Sequence, residues 1–271
     1  DLRPFNGEEL KRILRVGLAA VLSAALGVSL ASCGAGAGAS TMEPAAATTA
    51  SSAEAGALVA ENPASSVADA AALNEAVEAE AVSSAATLAS SELAAGEVEA
   101  LYWMREEEKL ARDVYRAMFD LWGLPVFENI AASEARHMDA VLGLIEAYGL
   151  DDPVVNDTPG LFGNLDLAAL YEELTAQGAE SVVAALTVGA TIEDLDILDL
   201  EERLTLTGNA GIIRVFENLL RGSRNHLRAF TSLLEAEGVE YEPVYHSAEE
   251  IAALLDGVRS GDGQYRGRRS R

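Results

Sequence analysis

The sequence predicts an all-α protein, an antiparallel four-helix bundle with one long crossover between the second and third helices. Three observations carry that expectation. Four segments between residues 95 and 237 hold apolar side chains at the alternating three–four spacing of a bundle seam. Short breaks rich in Gly or Pro separate the members of each pair, whereas residues 150–180 separate the pairs. No convincing run of period-two alternation competes with them.

The first helix is expected over 95–122, with the seam Leu101, Met104, Glu108, Ala111, Tyr115, Met118 and Trp122, and "GLP" at 123–125 stops it. The second, over 126–148, presents Phe127, Ile130, Glu134, His137, Val141, Leu144 and Tyr148, with Gly149 as a C-terminal cap. The connection 150–180 contains turn signals and one short amphipathic stretch, "LDLAALYEELTAQG". The third helix, over 181–205, reads Val182, Leu186, Gly189, Glu193, Asp196 and Leu200, and "TGNAG" turns the chain. The fourth, over 210–237, reads Ile212, Phe216, Leu219, Ser223, His226, Phe230 and Leu233.

Each seam is broken near its middle by polar residues, although an unpaired carboxylate in an apolar core costs several kcal/mol or is forced to take up a proton. In an antiparallel hairpin, residues equally far from the turn lie at one height, at about 1.5 Å per residue. Glu108 faces Glu134 and His137 by that reckoning, and Glu193 and Asp196 face Ser223 and His226. Neutral imidazole and anionic oxygen donors converging in an apolar interior are what a metal site requires.

Composition bounds the rest. The chain has 271 residues and a formal net charge of −25, which argues against binding nucleic acid, where Lys and Arg must meet phosphate. Residues 95–256 have the length of a single domain. Ahead of it, 34–94 is an Ala/Ser-rich tether that buries too little apolar surface to offset chain entropy. Residues 257–271 form a basic, Gly-rich tail, expected to be disordered, whose arginines touch anionic headgroups or are simply solvated. Residues 1–33 read as an export signal: Lys11, Arg12 and Arg15 precede the apolar run "VGLAAVLSAALGVSL". That run ends in "LASCG", which resembles the lipobox of bacterial lipoproteins, and the resemblance implies lipidation at Cys33 and a lipid anchor in the cell envelope. Cys33 is the only cysteine, so neither an intramolecular disulfide nor a multi-thiolate metal site is available.

The four interrupted seams resemble a ferritin-like bundle, in particular its rubrerythrin branch. Glu108-x-x-Ala111-Arg112-x-x-Tyr115 is similar to the first ligand helix there, and "FENIAASEARHMDAV" to the Glu-x-x-His helix, with Glu134 and His137 at ligand positions. Glu193-x-x-Asp196 is similar to the third helix, and His226 takes the histidine position of the fourth. Ser223 stands where the resemblance expects a glutamate, so either Asp196 supplies the oxygen donor or the site holds one metal. Over 95–255, "MREEEKLARDVY", "NIAASEARHM", "IEDLDILDL" and "GSRNHLRAF" resemble the domain of unknown function 2202 family, itself ferritin-like and without an assigned reaction.

The resemblance implies metal ligands at Glu108, Glu134, His137, Glu193, His226 and Asp196, with iron (single or paired) or manganese as cofactor. Each has an alternative: His226 as a core histidine bonded to Glu134 or Glu193, Asp196 as a second acceptor orienting a histidine. Tyr115, Arg112 and Ser223 are expected beside the ligands; Tyr115 can equally be packing, and Arg112 a solvated charge. Glu106 and Glu107 are expected to be exposed, as is His246, while Trp103 and Trp122 read as core or rim aromatics. The functional expectation is an envelope-anchored oxidoreductase acting on oxygen or peroxide, with no catalytic residue assigned. The alternatives are a protein that binds or sequesters metal without turnover and a metal-free helical interaction module. Expected partners are the membrane, through the lipid, and metal ions; a homodimer is compatible, and a closed storage cage fits poorly with a tethered anchor.

Overall fold

The computed structural model describes residues 92–260, and all regular structure among them is helical. The six helices are α1 (Ala95–Trp122), α2 (Pro125–Ala147), α3 (Leu165–Gly178), α4 (Val182–Leu206), α5 (Ala210–Ala236) and α6 (Ala248–Ser260). The lipobox at Cys33, nearly all of the tether and the end of the basic tail lie outside the described residues. A capping box between Ser247 and Glu250 opens α6, which runs on to Ser260, past the tail boundary expected at 257. Among the described residues no helix is long and apolar enough to cross a membrane.

Local signals set the boundaries. Gly123, at φ +64°, closes α1 with its amide on the Phe119 carbonyl, and Pro125 opens α2 at a position whose amide would have no helical partner. Ser181 caps α4 through the Ala184 amide, and Asn209 caps α5 through the amides of Gly211 and Ile212.

α1 packs along α2 and α4 along α5, and the two hairpins meet through α1–α4 and α2–α5 contacts. Thr207, after α4, bonds Glu97 in the first turn of α1, whereas Trp122, at the end of α1, bonds the Gly178 carbonyl just before α4. α1 and α4 are therefore antiparallel, and the crossover must travel the length of the molecule. It does so along the outer side of α1. The interior is filled by seam residues: Leu101, Met104, Tyr115, Met118, Phe127, Ile130, Leu144, Phe216, Leu219 and Phe230 are all fully buried.

The outer side of α1 departs from expectation. Glu106 and Glu107, expected in solvent, are buried, together with Arg105, Lys109, Arg112 and Asp113. Glu107 is enclosed between α1 and α4, where the Trp103 indole reaches it; the crossover supplies partners to the others. Arg105 pairs with Asp152 at 2.9 Å, and Arg112 bridges Asp113 (2.8 Å) and Asp157 (2.5 Å). Lys109 contacts Asp113 at 2.5 Å, the Thr158 carbonyl at 3.0 Å and the Phe162 ring. The Glu106 carboxylate accepts from the amides of Gly163 and Asn164, where α3 begins. Buried charges are tolerated only when paired in this way.

A second strap lies across the outer side of α4. Fully buried Asp194 accepts hydrogen bonds from the Tyr241 hydroxyl and from the amides of Val244 and Tyr245, and its other oxygen lies 2.6 Å from His246 Nδ1. His246 was expected to be exposed; the segment after α5 folds back and buries most of its ring.

Candidate metal centre

The polar breaks of the four seams meet in the interior. Glu108 comes from α1, Glu134 and His137 from α2, Glu193 and Asp196 from α4, and Ser223 and His226 from α5; each is buried. Residues three apart on a helix share a face, so each of α2, α4 and α5 offers two inward groups one turn apart.

Glu134 sits at the middle. Its Oε2 lies 2.7 Å from His137 Nδ1 and its Oε1 2.8 Å from His226 Nδ1. The second approach lacks hydrogen-bond alignment, and Glu134 Oε1 and His226 Nδ1 are both left without a hydrogen-bond partner. Glu108 Oε2 lies 3.2 Å from His137 Nδ1, and Glu193 Oε2 lies 3.5 Å from His226 Nδ1. The two imidazoles stack with centroids 5.6 Å apart. Two groups of potential ligand atoms result: Glu108, Glu134 and His137, and Glu134, Glu193 and His226, each with its atoms within 4.8 Å of one another. Glu134 belongs to both.

Tyr115 donates its hydroxyl to Glu193 Oε1 at 2.5 Å, and its ring packs on Phe127 and Phe230 with centroids 6.3 and 5.3 Å away. Ser223 donates to Asp196 Oδ2, while Asp196 Oδ1 is buried with no hydrogen-bond partner. Arg112 is the one expected neighbour that the fold turns away: it faces the crossover and pairs with Asp113 and Asp157. Gly189 lets α4 approach α5, because a Cβ there would stand 2.6 Å from the Phe230 ring.

The charges in this pocket compensate one another through protons. Burial, then the Asp196 carboxylate, push Glu108 well above the usual carboxylate range. Burial and Glu134 raise Glu193, and burial and Glu193 push Asp196 up to about 8. Burial opposes ionisation of Glu134, but His226 and His137 on either side outweigh it and hold the carboxyl below its ordinary value. Burial likewise opposes charge on the imidazoles; Glu108 and Glu134 nevertheless raise His137, and Glu134 and Glu193 raise His226 to about 9. The directions run together: Glu134 is favoured as the anion, its two imidazole neighbours are favoured in the charged form, and the surrounding acids resist ionisation.

A polar cluster unmarked by the sequence reading extends this pocket toward the rim of the α1–α4 interface. The Trp103 indole N–H lies 2.9 Å from Glu107 Oε2 and 2.7 Å from Asp199 Oδ2, and Arg203 lies against the Trp103 ring. Asp199 continues the three-residue spacing of Glu193 and Asp196, which was its only sequence signal.

Three comparisons bear on identity. Residues 97–257 match the family described as an uncharacterized protein domain (DUF2202). The chain is 50% identical over 169 residues to the uncharacterized protein MJ0754 of Methanocaldococcus jannaschii, covering 62% of this chain and 91% of that one. It is also similar to the crystal structure of the hypothetical protein MJ0754 from Methanococcus jannaschii, with a TM-score of 0.60 and 50% identity over 61% of this chain and 95% of that chain. With the family match spanning more than half of the chain, this protein belongs to the DUF2202 family.

Proposed function

We propose that this chain is a ferritin-like metal-binding protein, an iron- or manganese-dependent oxidoreductase toward oxygen or peroxide, held at the cell envelope by lipid on Cys33. The observation that carries the reading is the pair of buried ligand groups sharing Glu134. Three carboxylates and two imidazoles suit iron and manganese, and the absence of thiolates removes the donors that favour softer ions. The donor set fits such a cation on two further counts. Glu108 Oε1 is buried without a hydrogen-bond partner, and the Glu134–His226 approach is close without being a hydrogen bond. Charge fits too, since divalent ions would replace the protons that now balance these groups.

In this reading Glu108 and His137 hold one side, Glu193 and His226 the other, and Glu134 spans both. Iron or manganese held there would supply the electrons that pass to oxygen or peroxide, and an external reductant would restore them. Tyr115 fixes Glu193 by a hydrogen bond from its hydroxyl, and the Tyr115, Phe127 and Phe230 rings keep bulk water from that end of the pocket. The test is metal analysis of protein reconstituted anaerobically with Fe(II) or Mn(II), followed by turnover assays with peroxide and oxygen. Metal uptake with turnover supports the whole reading; uptake without turnover leaves a binding or sequestering protein.

One observation favours a second reading. The Glu134 carboxylate already lies between two imidazoles, so a core closed by protons alone, serving a helical interaction module, is electrostatically consistent. A folded protein that takes up neither metal would select it.

A further inference from the structure

The approaches to the buried centre differ in charge. The helices that bear the histidines set Arg136, Arg224 and Arg228 within two residues of them, which disfavours a cation on that side. The α1–α4 side is the reverse. Along α4, Glu193, Asp196 and Asp199 recur every three residues and Arg203 follows one turn later, spanning about 15 Å of helix from the centre to the rim. From α1, Glu107 neighbours Asp199 and Arg203 outward and Asp196 and Glu108 inward. Glu107 Oε1, Glu108 Oε1 and Asp196 Oδ1 are each buried without a hydrogen-bond partner, although a buried acceptor left without a donor is costly.

We propose that Glu107 and Asp199 form the port through which a divalent cation passes from the α1–α4 rim to the buried centre, and that Arg203 occupies this port between passages. The proposal rests on the metal-binding reading above and adds the route of loading. The Trp103 indole N–H donates to Glu107 Oε2 at 2.9 Å and to Asp199 Oδ2 at 2.7 Å, which holds the two carboxylates within reach of one cation. Trp103 is only half-buried, so the pair stands where the row of acids meets solvent. One carboxylate would satisfy the indole; two buried acids around a single N–H, with Glu107 Oε1 to spare, exceed what packing requires. Arg203 lies over the Trp103 ring with its Nη2 3.7 Å from Asp199 Oδ2, an ion pair long enough for an entering cation to displace. Oxygen donors of this kind suit hard divalent ions.

The test mixes chelator-stripped protein with Mn(II) under anaerobic conditions and follows loss of the electron paramagnetic resonance signal of free Mn(II). Rate and final stoichiometry are both read, with circular dichroism as the check on folding. Glu107→Gln and Asp199→Asn keep side-chain shape and an acceptor for the Trp103 indole. Each should load at least tenfold more slowly than wild type and reach the same final stoichiometry. Arg203→Gln, at the outer end, should load several-fold faster. A folded Glu107→Gln or Asp199→Asn that loads at the wild-type rate overturns the port and leaves the metal reading standing, as does an Arg203→Gln that loads no faster. Loss of an equivalent at equilibrium in either carboxylate variant also overturns it, because the pair would then be resident ligands rather than a passage. Wild type that takes up neither Mn(II) nor Fe(II) overturns the metal reading and the port with it.

Discussion

The first hairpin carries Glu134 and His137 on one helix, whereas the second divides the corresponding groups, with His226 on α5 and the carboxylate that meets Ser223, Asp196, on α4. The same exchange recurs one turn beyond the ligands on the opposite side. Where the first hairpin has Met104 and Val141, the second has Gly189 and Phe230, with the bulk moved from one helix to the other. The lesson is that the register between helices is held while side chains trade places across it. A motif search along one helix at a time therefore sees a defect at Ser223, although the pair of helices remains complementary.

The comparison breaks most readily at Glu134, the one group common to both halves. Glu134→Ala is expected to abolish metal uptake in both halves and, in the protein alone, to leave two buried imidazoles without their central anion. Breaking a buried pair of this kind costs about 3–5 kcal/mol, measurable by urea denaturation at neutral pH. A variant that binds metal as wild type does would show that the two halves are independent.

The exchange of bulk makes opposite demands on equivalent positions. Met104→Ala opens a cavity and should cost about 2–5 kcal/mol. Gly189→Ala forces a methyl toward the Phe230 ring and should cost about 1–3 kcal/mol by overpacking. Phe230→Val, which gives the second hairpin the first one's partner, should relieve the Gly189→Ala strain when the two are combined, while doing nothing for Met104→Ala. Denaturation midpoints of the single and double variants decide this.

Metal binding should also be coupled to protons. His226, held at about 9, and Asp196, at about 8, keep their protons through neutral pH in the protein alone. A cation displaces them, so apparent affinity should rise between pH 6 and 8, by up to about tenfold per pH unit for each proton released, and level off above those values. Proton release into weakly buffered solution checks the count.

The smallest effect concerns the straps. Asp194 raises His246 by a hydrogen bond, so the stabilising pair is fully formed below the unfolded histidine value of about 6.5 and is lost as pH rises through the higher folded value. With an edge of the His246 ring still open to solvent, screening keeps this contribution to about 1 kcal/mol. The stability difference between wild type and His246→Gln should therefore shrink as pH rises, while Arg112→Ala on the other strap should show no such trend.

Periodicity made the four long helices legible, with ends within a residue or so, because seam spacing and the signals at Gly123, Pro125 and Asn209 act locally. The candidate ligands were legible for the same reason: each breaks a seam at the height its partner helix predicts. The outer side of α1 was not. "REEEK" is a solvated face by composition, and only the path of an aperiodic loop brings Asp152, Asp157, Thr158 and Gly163 against it. The pairing of Asp194 with His246 was illegible for the same physical reason, the two being separated by a chain reversal that no local pattern encodes.

The most direct measurement is metal content after anaerobic reconstitution of the purified protein with Fe(II) or Mn(II), compared between wild type and Glu134→Ala. Two equivalents in wild type and none in the variant are predicted. A folded wild type that takes up no cation at all would contradict the account and leave the polar core as a proton-closed network.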